Sequence, residues 1–383
     1  MAGRTKANGR CLGAKNMNHL SLLVIALYLF VTSIAVVKAE DSESSRNPYE
    51  ALVPQYLLGL AHAPEVHQEL ELTEAQVQGL ESLFHEIDNV WFPARLLPQA
   101  SQRKTVHELE QKLLHWFDEN TSDEQRKRLG QLEYYSQSSR ILLREDVRSR
   151  VGLEASQQSK LAVLARATDD AQQKLSQIQF GDPDAKGLQS KFNDAYKAER
   201  GALTKLVTND QRLKLNDLLG PTFDPSKLSR IYAMAPEFNT VEHWINSEPL
   251  TMSELKGKVV IVHFYAFECH NCHANFAIYQ RWYKELTSKG VVIVGIQTPE
   301  TDRERNPDAV KSAASQREFR FPIVVDLESK NWRSWGNTMW PTVYIVDKNG
   351  YIRHWWQGEL NWNGATADKT IDQLVAELLA EKI

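Results

Sequence analysis

Two cysteines set three positions apart, Cys269 and Cys272, have the type and spacing for covalent redox chemistry. Cys-x-x-Cys in the first turn of a helix brings two sulfurs to bonding distance in one small ring that can open and close. The pair ends the segment KVVIVHFYAFECHNCH at 258–273, where an apolar β-rich run stops at Glu268 and a helical pattern follows from Ala274 to Leu286. A helix N-terminus carries about half a positive charge and unpaired N–H groups. Cysteines placed there have pKa values lowered from about 8.5 to roughly 3.5–7.5. The thiolate is the attacking species, so Cys269, at the outer end, is expected to attack and Cys272, one turn in, to resolve. Three neighbours tune the pair: Glu268, whose charge opposes thiolate formation, and His270 and Asn271, which lie between the sulfurs.

The same residues suit other chemistry. Cys269-His270-Asn271-Cys272-His273 matches the C-x-x-C-H signature of haem attachment, although it follows a strand and not a small helical domain. Cys269 and Cys272 with His270 and His273 also form a donor set that copper or zinc would accept. A peroxidase of the Thr-x-x-Cys kind would need threonine where Ala266 stands. Elsewhere His85, His107 and His115 have no ligand-like spacing, and no metal site is expected.

A chain of 383 residues has room for two domains and appendages. The net charge of −4 gives no footprint for nucleic acid. With only three cysteines, one of them Cys11 near the N-terminus, there is no structural disulfide framework. Residues 1–39 combine a basic start, an apolar run at 20–37 and the small-residue sequence Val37-Lys38-Ala39. That pattern reads as a signal peptide or a membrane anchor, and places the rest of the chain outside the cytoplasm.

Residues 40–219 read as an all-helical domain, in which 40–48 are a polar lead-in and helical patterning runs from about Pro48 to Leu219. Four segments in it look alike, with glutamines at Gln76, Gln125, Gln157 and Gln211. Their spacing predicts two long units of two copies each. Thr73, Ser122 and Thr208 each precede their glutamine by three residues, which is the pattern of a capping box. The third copy has Glu154 in that place. The segments resemble the LTxxQ repeats of exported helical proteins, Spy-like chaperones among them. A docking or structural bundle is the plainer expectation, a chaperone-like or sensing surface the sharper one.

Pro221, Pro225 and Pro236 punctuate 220–238, which reads as a linker. Beyond it the composition changes: eight of the ten tryptophans lie between Trp244 and Trp362. Strands are predicted at 258–266, 291–297, 322–326, 342–347 and 351–356, and helices at 273–288, 307–318 and 367–381, with Asp347-Lys348-Asn349-Gly350 as a hairpin turn. This order gives an α/β domain over 239–383, a mixed sheet with helices on both faces, preceded by an all-α domain.

Residues 235–383 resemble the TlpA-like thioredoxin family of exported bacterial oxidoreductases. The resemblance rests on APEFN at 235–239, LKGKVVIVHFYA at 255–266, the Cys269–Cys272 motif and Trp340-Pro341-Thr342. Within the family, the C-x-N-C motif and VVIVGIQTPE at 291–300 look most like the DipZ branch. The resemblance implies a redox-active Cys269–Cys272 disulfide with no other cofactor, in the bacterial periplasm. Its partners would be protein thiols or disulfides and an electron donor or acceptor, such as a membrane thiol carrier. It also implies that Pro341 is cis and that Trp340, Pro341 and Thr342 bind substrate. One position departs from the pattern: His263 stands six residues before Cys269, where many thioredoxins carry a buried aspartate. It is expected either to act as the base for Cys272 or to pack as a core histidine. A further departure is Asn275, where some of these proteins carry an acid.

Overall fold

The computed structural model describes residues 47–176, 184–225, 228, 232–239 and 243–382. The expected signal or anchor at 1–39 lies outside them. No helix among the described residues is long and apolar enough to cross a membrane.

The N-terminal region is helical: α1 (Leu57–His62), α2 (Pro64–Glu69), α3 (Glu74–Ala94), α4 (Gln99–Asn120) and α5 (Asp123–Ser136), then α6 (Glu145–Val151), α7 (Ala155–Ser176), α8 (Ala185–Arg200), α9 (Ala202–Lys205) and α10 (Asn209–Leu219). Complete capping boxes start α3, α5 and α10 at Thr73, Ser122 and Thr208. The repeated glutamines do more than cap. Gln76 and Gln125 each donate to the other's side chain, at 3.2 and 3.3 Å, and each also reaches a carbonyl just before its partner's helix, Asn120 and Leu70. Gln157 and Gln211 repeat the arrangement at 2.8 and 3.1 Å. At Glu154 only half of the box survives, the Gln157 side chain accepting from the Glu154 N–H at 2.8 Å. The copies therefore pair first with second and third with fourth, forming two units. The second unit has its own core, around Leu143, Val151, Leu161, Ala165 and Leu215.

The C-terminal region builds a six-stranded mixed sheet in the order β1-β4-β3-β2-β5-β6. The strands are β1 (Trp244–Ile245), β2 (Val259–Tyr265), β3 (Val291–Gln297), β4 (Ile323–Val325), β5 (Thr342–Val346) and β6 (Ile352–Gln357). β2, β3 and β4 run parallel, while β1, β5 and β6 are antiparallel to their neighbours. Every residue of β2 is buried, which is why the strand reads as an apolar run broken only by His263. Helices α11 (His270–Leu286), α12 (Pro307–Gln316), α13 (Lys330–Ser334) and α14 (Ala367–Ala380) complete the domain. Ile261 and Tyr265 share one core with Tyr279 and Trp282 of α11, Val310 of α12, and Ile371 and Val375 of α14.

Val260, Val262 and Phe264 face the other way, and what covers them is largely the first helical unit. Leu80, Phe84, Ile87, Trp91 and Phe92 belong to the same core as these strand residues, together with Trp335 and Tyr344. Phe92 meets Tyr344 and Trp355 edge to face, at 6.0 and 5.6 Å. At the end of α3 the buried Arg95 donates to the carbonyls of Phe92, Trp335 and Gly336. Its guanidinium lies 3.6 Å from the Phe92 ring centroid. His62 and Asp88 are joined at 2.8 Å, and the same Asp88 oxygen accepts the Met234 N–H at 2.7 Å.

These contacts change the reading of the linker. Residues 232–238 are part of the fold: Ala233, Met234, Ala235 and Phe238 are buried, and Met234 bridges to Tyr351. Ala235 donates to Gly350 and Ile352 donates to Ala233, at 2.8 and 3.0 Å. Proline interrupts the pattern there, but the apolar residues between the prolines pack on both domains.

Candidate active site

β2 ends at Tyr265, and Ala266–Glu268 carries the chain into Cys269, the N-cap of α11. The helix begins at His270, three residues earlier than its hydrophobic pattern suggests, so Cys272 lies within its first turn. Both cysteines are free thiols, Cys269 8% exposed and Cys272 fully buried. Their environments push them in opposite directions. The Cys272 thiol donates to the Cys269 sulfur, and the backbone N–H groups of Cys272 and Asn271 add to it, so the Cys269 pKa falls below the ordinary thiol value against the cost of burial. Burial first, and then that donated bond, pushes Cys272 far up. Negative charge therefore collects on Cys269 while the proton stays on Cys272.

The Trp340–Pro341 peptide bond is cis. The Pro341 carbonyl accepts the Gly358 N–H at 2.7 Å, and the Thr342 hydroxyl donates to the Met339 carbonyl at 2.8 Å. Trp340 packs on Trp332, ring centroids 4.2 Å apart. Asn275, one turn past Cys272 and buried, links this loop to the helix. Its amide donates to the Gly358 carbonyl at 3.3 Å and to the Tyr279 hydroxyl at 3.1 Å, and its oxygen accepts the Leu360 N–H at 2.9 Å. An amide supplies both a donor and an acceptor here; a carboxylate would supply only acceptors.

The turn before Cys269 is fastened from several sides. The fully buried Glu304 accepts N–H bonds from Glu268, Glu300 and Thr301, at 2.6, 2.7 and 2.9 Å. The Glu268 carboxylate is held by the Thr301 hydroxyl and Arg303, at 2.6 and 2.9 Å, and these partners lower its pKa. Phe267 offers its carbonyl to Arg317 at 3.1 Å and lies 2.8 Å from His273 Nε2. His270 and Asn271 are exposed. No group of three or more His, Cys, Asp or Glu among the described residues could hold a metal.

His263 is fully buried between β2 and α11. Its ring stacks on Tyr279 at 4.0 Å and meets Phe321 edge-on at 4.8 Å. It fits because the residue beside it on β3 is glycine: a Cβ on Gly295 would lie 3.1 Å from the imidazole. Burial lowers its pKa to about 3, so the ring is neutral. Neither nitrogen has a hydrogen-bond partner among the described residues.

Glu304, Asn275 and Arg317 are the site residues that the pattern of the chain did not single out as working parts. Asn275 stood out only as a missing acid. Glu304 sits in the polar stretch ETDRERNP, which looks like an ordinary solvated loop.

The sequence profile of the AhpC/TSA family matches residues 231–355. This region is a thioredoxin-like domain of that family. Protein DipZ of Mycobacterium bovis is 31% identical over 132 residues, 34% of this chain and 19% of its own length. SUPPRESSOR OF QUENCHING 1, a chloroplastic protein of Arabidopsis thaliana, is 33% identical over 121 residues, 30% of this chain and 11% of its own. Thiol-disulfide oxidoreductase ResA of Bacillus cereus is 26% identical over 137 residues, 36% of this chain and 75% of its own. The chain thus spans about a fifth or less of the first two relatives, and all three similarities are confined to about a third of it.

Proposed function

We propose that this chain is an exported thiol–disulfide oxidoreductase acting on protein disulfides through the Cys269–Cys272 dithiol. The observation that carries the reading is the opposed environment of the two sulfurs: one held toward the thiolate at a helix N-terminus, the other kept protonated one turn below it. The Cys269 thiolate attacks a substrate disulfide, forming a mixed disulfide and releasing one substrate thiolate. Cys272 then loses its proton and attacks the Cys269 sulfur, the bond to substrate breaks, and the second substrate thiolate leaves. The substrate gains two electrons and the protein becomes the Cys269–Cys272 disulfide, which an external dithiol donor must reduce again.

Trp340, Pro341 and Thr342 are proposed to receive an extended substrate segment. The Pro341 carbonyl is occupied by Gly358, so strand-like pairing falls to the Trp340 peptide, which has no backbone partner among the described residues. The basic start and apolar run of residues 1–39 support export, with re-reduction by a membrane thiol carrier as the matching electron source. ResA, by name a thiol-disulfide oxidoreductase, points to the same chemistry. The test is turnover of a protein disulfide by the full chain with a dithiol donor. Loss of turnover in Cys269→Ser is expected; turnover at the wild-type rate in that variant would overturn the assignment.

A further inference from the structure

Resolution of the mixed disulfide releases the Cys272 proton, and the chemistry needs a group to take it. His263 is poorly placed for this, since neither of its nitrogens meets a hydrogen-bonding partner among the described residues. At the C-terminal edge of the sheet stands a carboxylate with no assigned task. Glu300 lies three residues past the end of β3, is exposed, and makes no side-chain hydrogen bond or ion pair among the described residues. The neighbouring Glu268 is already engaged by Thr301 and Arg303.

Two fastenings set Glu300 beside the cysteine turn. The Thr298 N–H donates to the Tyr265 carbonyl at 3.1 Å, extending the β2–β3 pairing past the ends of both strands. Beyond that bond, the single buried carboxylate of Glu304 collects the N–H of Glu268, one residue before Cys269, together with the N–H groups of Glu300 and Thr301. The two loops are thus within one carboxylate's reach of each other, and nothing in these bonds involves the Glu300 side chain. The negative charge of Glu300 is felt at both sulfurs, where it opposes ionisation.

We propose that Glu300 accepts the proton of Cys272 as the mixed disulfide resolves, and that Glu304 is the positioning residue that holds it in place. The proposal rests on the thiol–disulfide reading above. In the step, the S–H bond of Cys272 breaks as its electron pair forms the bond to the Cys269 sulfur. The Cys269–substrate bond breaks with its pair going to the substrate, and the proton passes to the Glu300 carboxylate and then to water. The titratable and hydrogen-bonding groups around the cysteine turn and the loop of Glu300 are Glu268, Thr301, Arg303 and Glu304 on the loops, Tyr265 from β2, His273 and Tyr279 from α11, and Arg317 after α12.

The experiment uses the reduced full chain and an aromatic disulfide whose released thiolate absorbs visible light. The first equivalent released reports attack by Cys269, the second reports resolution by Cys272. In Glu300→Gln the second phase is expected to slow by at least about tenfold near pH 7, while the first phase does not slow, because removing a negative charge favours the Cys269 thiolate. Glu304→Gln is expected to slow the second phase too, and the double variant to be no slower than the more impaired single one. A second phase unchanged by Glu300→Gln across about pH 5–9 would overturn the proposal, and additive slowing in the double variant would overturn the positioning role of Glu304. Cys269→Ser separates the two levels: loss of both phases there, with a normal second phase in Glu300→Gln, removes Glu300 and leaves the thiol chemistry standing.

Discussion

Asn275→Leu is the substitution whose cost the structure defines best. The two side chains are similar in size, so packing changes little, but three hydrogen bonds disappear. The Tyr279 hydroxyl loses one contact, while the buried Leu360 N–H and the half-buried Gly358 carbonyl lose their partner. The buried Leu360 N–H left unpaired costs about 1–3 kcal/mol, and the half-buried Gly358 carbonyl, which water can reach, costs less. Burying leucine in place of the amide offsets part of this, so the net loss is on the order of 1 kcal/mol. Because Gly358 also donates to Pro341, the loop carrying Trp340 and Pro341 should loosen with it. Urea denaturation of the reduced chain, with turnover measured on a protein disulfide and on a small aromatic disulfide, reads both effects. The expected result is a lower midpoint and a larger loss of activity on the protein substrate than on the small one. An unchanged midpoint, or equal activity losses on both substrates, would refute the role assigned to Asn275.

Gly336→Ala should destabilise the fold by more than about 1 kcal/mol, measurable in the same denaturation assay, because Gly336 has φ +59° and a Cβ there would lie 2.7 Å from the Arg95 guanidinium. Residues 239–383 expressed alone should bind a hydrophobic dye and unfold without a cooperative transition, since Val260, Val262 and Phe264 lose the cover that Phe84, Trp91 and Phe92 provide; a compact, cooperatively folding fragment would contradict the shared core. Burial raises the pKa of Glu110 to about 8, with Glu133 adding to it. The folded state therefore keeps a proton that the unfolded chain gives up near its ordinary value of 4.5, so this group's contribution to stability falls as pH rises from about 4.5 to about 8. Glu110→Gln should flatten that part of the thermal stability profile and gain most near pH 8.

Much of this was legible in the chain because local patterns coincide with tertiary demands. β2 must be buried on both faces, and a strand so buried is apolar at every position but His263. The capping boxes appear where Thr73, Ser122 and Thr208 foretell them, and the glutamine spacing gives the two-by-two pairing correctly. Other features carry no local signal. Phe84, Trp91 and Phe92 look like the core of a self-contained bundle, and only the assembled structure shows that they cover a sheet in the other domain. The residues 232–238 resemble a spacer because Pro236 breaks the pattern, yet Ala233, Met234, Ala235 and Phe238 are buried. α11 starts at His270 because Cys269 serves as its N-cap without a side-chain bond, so the usual Ser, Thr, Asp or Asn cue is missing. The short α13 has no signature of its own in the chain, because five residues are too few to show a helical period. Glu304 works through three backbone N–H groups brought together by folding, which no spacing can reveal.

The division of labour between the two cysteines is tested most directly by trapping. The full chain carrying Cys272→Ser is incubated with a protein disulfide, and the adduct is mapped by mass spectrometry under non-reducing conditions. A stable mixed disulfide at Cys269 is expected there, with none in Cys269→Ser. An adduct at Cys272 in the Cys269→Ser variant, with none at Cys269 in its counterpart, would show that the roles of the two sulfurs are reversed.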